Sequence, residues 1–200
     1  RGLAPFVQTN GLLTYGGNAR GVEILGVDPV FEPAVSEIHR YMSQGQMSSL
    51  KKGEYQLLMG GLLARFLGVG VGDRVTITLP EVMITPAGVF PRSRAFTVSG
   101  IFDTGAQGDQ TMVLMHIGDS QKLLRLGHKS HGLKVKTADI YTAPQVLSRL
   151  AQQLKGAKVT DWSATQGHLF QAVKMEKTVV GFLLGIIIAV AAFNIVTSLI

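Results

Sequence analysis

Residues 178–200 read TVVGFLLGIIIAVAAFNIVTSLI, which is 23 consecutive residues without a charged side chain. An α-helix rises about 1.5 Å per residue, so this stretch is long enough to cross the roughly 30 Å hydrocarbon core of a bilayer. Buried helices of soluble proteins usually keep a polar stripe. The polar residues of this stretch are Thr178, Asn194, Thr197 and Ser198. The stretch therefore predicts a transmembrane helix, and we expect the chain to be a piece of a longer membrane protein.

Within this helix, small residues recur at a spacing of four. Gly181 and Gly185 form a small-xxx-small pair that Ala189 continues, a pattern that allows a second helix to approach closely in lipid. Asn194 is typical of an interhelical hydrogen bond. Gly181, Gly185 and Asn194 are therefore the predicted helix-packing residues in the membrane.

The preceding residues 1–177 are long enough for one large or two small domains. The net charge of +6 comes from basic residues that are scattered along the chain and not interleaved with aromatic ones, so no nucleic-acid partner is predicted. The chain has no cysteine, which excludes disulfides, thiolate zinc sites and cysteine nucleophiles. The residues before the first predicted strand do not have the pattern of a signal peptide, and we expect a further segment before Arg1.

Hydrophobic periodicity predicts a mixture of strands and helices before the span. LAPFVQT (3–9) and GVEILGV (21–27) predict strands joined at Gly16 and Gly17, and YQLLMG followed by GLLARFLG predicts a strand and a short helix. From Thr111 strands and helices alternate. The predicted elements there are the strand TMVLMH, a helix over 119–126 stopped by Gly127, the strand GLKVKT, a helix opened by the capping box of 142–145, and the strand AKVTDW. We also expect one nearly continuous helix over 166–199.

A segment rich in proline separates two strongly β-forming runs. VTITL (75–79) and RAFTVSGIF (94–102) read as paired strands, yet the 14 residues PEVMITPAGVFPRS (80–93) lie between them, whereas hairpin loops usually have two to five. Its three prolines predict a stiff, extended loop that leaves the ladder. Such an apolar loop either folds back on its own domain or offers its side chains to a partner.

Motifs for catalysis or cofactor binding are absent from the sequence. The glycines at 68, 70 and 72 match neither of the phosphate-binding motifs G-x-G-x-x-G and GxxxxGK[ST]. A predicted strand follows them, whereas a phosphate-binding loop is followed by a helix. There is no G-x-S-x-G elbow, and the five histidines show no HxH or HExxH spacing. We therefore predict a non-enzymatic chain with no catalytic residues, no cofactor and no metal.

Three stretches carry a resemblance to a known family. DWSATQGHLFQAVKMEKTVVGFLLGIIIAVAAFNIVTSL (161–199), with its FQAVxMEK and AAFNI motifs, closely resembles the end of the periplasmic domain and the second span of LolC-type permeases. GLLARFLGVGVGDRVTITLP (61–80) resembles the LA-xx-LG-xxx-GD-xV element of the wider MacB-like mechanotransmission superfamily. TPAGVFPRSRAF (85–96) looks like the LolC hook, and the resemblance covers most of 12–200.

The resemblance implies an α+β fold and a place in a transport machine. The expected fold is a MacB-like periplasmic core of Porter βα units with an inserted β-rich Sabre part, followed by a transmembrane helix. Residues 1–177 would form the core domain, with the hook loop at 80–93, and residues 178–200 the span. The implied function is that of a permease subunit of the lipoprotein-releasing ABC transporter in the bacterial inner membrane, which hands lipoproteins to the periplasmic carrier LolA.

The resemblance also implies partners and contact residues. ATP hydrolysis is expected on a separate LolD-type subunit, and the second permease is either LolE-type or another copy of this chain. The expected carrier-binding residues are Met83, Ile84, Pro86, Ala87, Val89, Phe90, Pro91, Arg92 and Arg94. The alternative is a MacB-type efflux permease or an FtsX-like regulatory permease without lipoprotein cargo.

Overall fold

The computed structural model describes residues 2–85, 88–137, 146, 160 and 162–199. Residues 82–85, 88–90, 162–174, 193 and 196–199 are described through their backbone alone. The chain divides into two compact units, Arg1–Lys136 and Thr137–Ile200. The helix and strand predicted over 142–154 and 157–162 lie outside the described residues, apart from Val146, Thr160 and Trp162.

The first unit opens with a long antiparallel hairpin. Strand β1 covers Gly2–Tyr15 and strand β2 covers Asn18–Val27, in a register that pairs Tyr15 with Asn18. The turn residues Gly16 and Gly17 have φ of +55° and +87°, which is the pattern of the two-residue turn that matches strand twist. The predicted hairpin is therefore confirmed, with longer strands than the sequence pattern showed.

Six strands pair in a closed ring. The further members are β4 (Gln56–Gly60), β5 (Arg74–Thr85), β6 (Gly88–Phe102) and β7 (Met112–His116). The order of strands around the ring is β2, β7, β4, β6, β5 and β1, and β1 pairs with β2 to close it. The β2–β7 and β4–β6 pairs are parallel, and the other pairs are antiparallel. Strand β3 (Met42–Gly45) adds to β6, and β8 (Gly132–Lys136) adds to β1. The mixed sheet with few helices confirms the predicted α+β class.

Alternating residues of these strands supply two apolar clusters. In β4, Leu57 and Met59 belong to the larger cluster while Leu58 between them belongs to the smaller one, because successive strand residues point to opposite faces. The larger cluster takes buried residues from all six ring strands. Burying one large aliphatic side chain contributes about 1.5–3 kcal/mol, so this cluster is the main source of stability in the unit.

Two short helices of the first unit follow strands directly. Helix α1 (Gly61–Leu67) is capped by Gly68 in the left-handed conformation and buries Leu63 and Leu67, as predicted. Helix α2 covers Ile117–Leu124 and ends at Arg125, whose φ is +55°. The predicted bounds 119–126 were therefore wrong, because the helix starts earlier, where the His116 side chain accepts a bond from the Gly118 N–H, and stops before Gly127.

Between β2 and β4, the chain forms three short 3-10 turns, Glu32–Ala34, Ile38–Tyr41 and Met47–Ser49. The last of these buries Met47 next to the smaller cluster. A fourth 3-10 turn, Gln107–Gln110, precedes β7.

The second unit contains one long helix, α3, which covers Trp162–Leu199. Its 38 residues run without interruption, which confirms the continuous helix predicted for 166–199. By length and composition its segment Met175–Ala192 is able to cross a membrane, and none of that segment is buried against protein.

Candidate functional site

The segment predicted as a loop, 80–93, is instead part of a paired hairpin. Strands β5 and β6 stay paired from Arg74 opposite Thr97 to Thr85 opposite Gly88. The prediction was wrong because the strand register shifts between Leu79 and Val82, and Pro80 lies within this irregularity. Pro80 has no N–H, but at this position it is not required to donate a hydrogen bond to the regular ladder. We call the part from Pro80 to Arg92 the hook hairpin.

The backbone pairing of the hook hairpin continues beyond the buried residues Leu79 on β5 and Phe96 on β6. Where side chains are described next to these two residues, at 80–81 and 91–95, they are exposed or partly buried. Its backbone pairs are Val82 with Pro91, Met83 with Phe90, Ile84 with Val89, and Thr85 with Gly88. The structure thus brings most of the predicted carrier-binding residues onto one ribbon. Pro86 and Ala87 lie outside the described residues.

At the base of the hairpin, arginines continue the inward positions of β6. Phe96 and Val98 are buried core residues, and by the two-residue period of a strand Arg94 and Arg92 follow on the same face. The Arg94 guanidinium lies 3.9 Å from the centroid of the Tyr55 ring, in cation–π geometry. Tyr55 in turn meets Phe96 edge to face at 5.7 Å. Arg94 is thus joined to the core through an aromatic pair.

Arg92 is held more deeply than the sequence predicted. Its side chain is 17% exposed, and its Nη1 donates to the Leu123 carbonyl at 3.0 Å and to the Glu81 carboxylate at 3.3 Å. An arginine at the rim of an interface that only attracts a partner by its charge would be largely exposed to solvent. Arg92 therefore also ties the hairpin base to the end of α2.

A cavity of about 240 Å³ opens at this base. Its lining comes from three parts of the chain: Tyr55 before β4, Arg92 to Arg94 on β6, and Lys122, Leu123 and Arg125 at the end of α2. The Lys122 Nζ lies 5.9 Å from the Tyr55 ring centroid. Four basic side chains thus surround one concave space. Sequence reasoning missed Tyr55, Lys122 and Arg125. The sequence signal that could have indicated the cavity was the pair of arginines on β6, at strand positions that are usually apolar next to a core.

A buried carboxylate holds two walls of the cavity together. Asp119 of α2 is fully buried, and it accepts hydrogen bonds from the Gly53 N–H at 2.7 Å and the Tyr55 N–H at 3.2 Å. Tyr55 has a φ of +50°, a left-handed conformation that is uncommon outside glycine. The two bonds to Asp119 stabilise that backbone and so fix the position of the tyrosine ring.

The histidines serve backbone contacts in the first unit. His116 and His131 accept hydrogen bonds through Nδ1 from the Gly118 and Gln8 N–H groups. Among the described residues there is no group of three or more His, Cys, Asp or Glu side chains placed to hold a metal ion.

In α3 the two predicted packing glycines face open space. A Cβ atom added at Gly181 or Gly185 would meet no atom within 4 Å. Large apolar residues around them, such as Phe182 and Leu184, are exposed. The described part of this helix therefore presents an apolar surface that lipid or another helix can contact.

Comparison with known proteins identifies the fold family. Residues 1–153 match the family model of the MacB-like periplasmic core domain. Among solved structures, the extracellular domain of the noncanonic ABC-type transporter YknZ from Gram-positive bacteria superposes with a TM-score of 0.52 at 11% identity, covering 80% of this chain and 78% of that one. The periplasmic region of MacB from Actinobacillus actinomycetemcomitans also gives 0.52, at 12% identity, with 84% and 75% covered. These two likenesses show the fold.

Sequence relatives are more specific. The lipoprotein-releasing system transmembrane proteins LolC of Neisseria meningitidis serogroup B and of Xylella fastidiosa (strain Temecula1) are each 39% identical over 98% of this chain and 48% of their own length. The LolE protein of Haemophilus influenzae is 26% identical over the whole chain and 48% of its own length. The chain thus spans about half the length of the curated relatives it matches.

Proposed function

This chain belongs to the family of MacB-like periplasmic core domains, and from that membership we propose that it is part of an ABC-transporter permease that releases lipoproteins from the bacterial inner membrane. Similarity to curated LolC proteins along nearly its whole length supports the proposal. Residues 1–177 then stand in the periplasm and residues 178–200 cross the bilayer. The exposed apolar segment Met175–Ala192 supports this division.

In this proposal the chain is a transport component and not an enzyme. A separate LolD-type subunit on the cytoplasmic side hydrolyses ATP, and a LolE-type subunit or a second copy of this chain completes the permease. The face of α3 that carries Gly181 and Gly185 packs against one membrane helix. Asn194 is nine residues after Gly185, about half a turn round the helix, and bonds to a helix on the opposite side. Small residues support such packing because they let two backbones approach closely where lipid supplies no hydrophobic driving force.

The hook hairpin is the observation that supports binding of a soluble carrier. Its strands pair with each other from Val82 opposite Pro91 to Thr85 opposite Gly88, and its described side chains at 80, 81 and 91 are exposed. A ribbon whose backbone groups are already paired loses little conformational entropy when it docks. We therefore assign the LolA-type carrier to this hairpin.

The register distributes the apolar positions over both faces of the ribbon. Positions 83 and 90 are opposite each other, and so are positions 84 and 89. Because successive strand positions alternate between faces, the two pairs belong to different faces. A carrier groove that encloses the ribbon would contact both pairs, whereas a flat carrier surface would contact one.

The decisive experiment measures carrier binding and stability on the same variants. Phe90→Ala is expected to weaken binding of the LolA-type carrier from the same organism by about 1–3 kcal/mol, the range of central interface anchors. Ile84→Ala tests the other face. Leu133→Ala, at an exposed apolar residue of β8, is the matched control and is expected to leave binding unchanged. Titration calorimetry gives the affinity, and thermal unfolding gives the melting temperature.

Two results would contradict the proposal. Absence of carrier binding by the unmodified permease would favour an efflux or regulatory permease of the same fold family. A melting temperature that falls by several degrees in Phe90→Ala, with carrier binding unchanged, would show that the hairpin belongs to the fold and not to an interface.

The two arginines are expected to behave differently. Arg94→Gln removes an exposed charge and is expected to slow carrier association and to reduce its salt dependence. Arg92→Gln also removes the bond to the Leu123 carbonyl, so it is expected to lower thermal stability as well.

A further inference from the structure

The cavity at the hairpin base places charge where the fold would otherwise bury apolar side chains. Arg92 and Arg94 occupy the strand positions that continue the face of Phe96 and Val98. The end of α2 then adds Lys122 and Arg125 to the same lining. Two unrelated segments thus direct cations to one concave space.

Among the described residues, the cavity lining carries four basic side chains and no carboxylate. Two carboxylates lie close to it: Glu81, which is 3.3 Å from the Arg92 Nη1 and largely exposed, and the buried Asp119, whose oxygens accept hydrogen bonds from the Gly53 and Tyr55 N–H groups. Within the described part of the chain, Arg94 and Lys122 make no ion pair with a carboxylate and meet the Tyr55 ring instead. Like charges held close together repel each other, so the cavity favours an anion.

An unsatisfied donor lies in the same lining. The Arg92 Nε–H is buried and has no hydrogen-bond acceptor among the described residues, although its Nη1 has two. A buried donor without a partner costs about 1–3 kcal/mol, and because this atom has almost no accessible surface, an acceptor in the cavity reaches it only when the guanidinium turns. Tyr55 and Ser93 also line the space, and the Ser93 Oγ is 2.8 Å from the Thr78 Oγ1.

From these observations we propose that the cavity is a binding site for a phosphate group, either free or as the headgroup of a phospholipid. A phosphate at neutral pH carries up to two negative charges and several acceptor oxygens, so it is able to take bonds from several cations and hydroxyls at once. A single carboxylate has one charge and two oxygens and would leave more of these donors unpaired. The cavity of about 240 Å³ accommodates a phosphate and part of an attached ester.

This site shares Arg92 and Arg94 with the proposed carrier contacts, but its other basic residues lie elsewhere in the fold. Lys122 belongs to α2, Arg125 follows it and Tyr55 precedes β4, and none of them is on the hook hairpin. Lys122 is therefore the residue on which to test the phosphate site without changing a proposed carrier contact.

The test is titration calorimetry of the full chain in a neutral maltoside detergent at constant ionic strength. The probes are inorganic phosphate, glycerol 3-phosphate and a short-chain phosphatidylglycerol below its micelle concentration. We expect saturable one-to-one binding. Lys122→Gln and Arg94→Gln are each expected to weaken it at least about fivefold, as the loss of one charge-assisted hydrogen bond implies. Lys122→Arg, which keeps the charge, is expected to retain it.

Lys129→Gln is the matched control, because Lys129 is an exposed lysine just after α2 that does not line the cavity. Equal affinity for phosphate and glycerol 3-phosphate would indicate recognition of the phosphate alone, and at least about tenfold tighter binding of the lipid would indicate a headgroup site. No saturable binding would overturn the proposal, as would an equal loss in Lys129→Gln. Stronger competition by an acidic peptide than by phosphate would reassign the cavity to a protein carboxylate.

Discussion

Asp119 links two segments of the first unit that are far apart in sequence. Its carboxylate accepts hydrogen bonds from the N–H groups of Gly53 and Tyr55, which precede it by 66 and 64 residues. Asp119 is fully buried, so water does not replace these bonds when they are lost. One side chain thus sets the position of Tyr55 and, through the ring, of Arg94.

Asp119→Ala is expected to lower the free energy of unfolding by about 1.5–3 kcal/mol, because it leaves two buried N–H groups without their charged acceptor. Chemical denaturation of the full chain measures this change. Asp103→Ala is the control, since Asp103 makes an exposed ion pair with Arg65 at 3.8 Å and accepts one long, exposed hydrogen bond from the Gly105 N–H at 3.4 Å. Exposed ion pairs contribute about 0–1 kcal/mol. Equal losses in the two variants would contradict the structural role of Asp119.

Glu37 connects the 3-10 turns to strand β8. Lys136 donates a hydrogen bond to its carboxylate at 3.2 Å, and this bond, with the positive charges of Lys136 and Arg40, holds the pKa of Glu37 below its ordinary value of 4.5. A carboxylate with a lowered pKa in the folded state stabilises the fold above its unfolded pKa. That stabilisation is lost as the pH falls through the lower, folded pKa.

Acidification is therefore expected to lower the melting temperature of the unmodified chain more than that of Glu37→Gln, starting near pH 4.5 and continuing below it. Lys136→Gln removes the same pair from the other side and is expected to behave like Glu37→Gln. Thermal unfolding at a series of pH values, repeated at about 1 M salt to screen the pair, checks this. Identical pH profiles for all three proteins would exclude the effect.

At the scale of elements, the hook hairpin is a ribbon that can be removed. The backbone pair Leu79–Arg92 lies at the edge of the buried core, and a two-residue turn is the shortest connection between antiparallel strands. The remaining β5 and β6 keep the pairs from Arg74 to Leu79, together with the buried residues among them.

Replacing residues 80–91 by Asn-Gly is expected to leave the melting temperature within a few degrees and to abolish carrier binding. Placing the same Asn-Gly pair at Gly16–Gly17, the turn of the β1–β2 hairpin, is the control, and it is expected to keep both properties. Circular dichroism and carrier titration measure the two outcomes. Loss of folding in the shortened chain would show that the hairpin stabilises the domain.

At the scale of the whole molecule, the absence of cysteine gives a clean test of the proposed topology. Ser48→Cys lies at an exposed site of the first unit, and Leu183→Cys lies in the middle of the proposed span. In intact spheroplasts, with the chain carried in its complete permease and any other cysteine replaced, a charged maleimide is expected to label Cys only in the Ser48→Cys protein. Lipid shields position 183.

Labelling of the Ser48→Cys protein only after the membrane is disrupted would place the domain on the other side. Labelling of the Leu183→Cys protein at the same rate in intact cells would mean that the helix does not lie in lipid there.

Local sequence predicted the elements whose stability is local. Residues 178–199 of the uncharged stretch belong to one helix, whose backbone hydrogen bonds join residues four apart, and that helix is continuous from Trp162 to Leu199. The β1–β2 turn has two glycines in the left-handed conformation, and α1 ends at Gly68, which is also left-handed. Glycine adopts this conformation more readily than other residues. Periodicity and turn chemistry are visible along the chain, so these elements were predicted correctly.

The tertiary structure alone decided what depends on distant partners. Three prolines predicted that 80–93 would leave the ladder, yet β5 and β6 continue to pair there, because the register shift after Leu79 removes the conflict. The cavity is lined by Tyr55, the β6 arginines and the end of α2, and Asp119 joins two of those segments by hydrogen bonds. Strand register and convergent side chains arise from non-local contacts, which no local pattern of residues encodes.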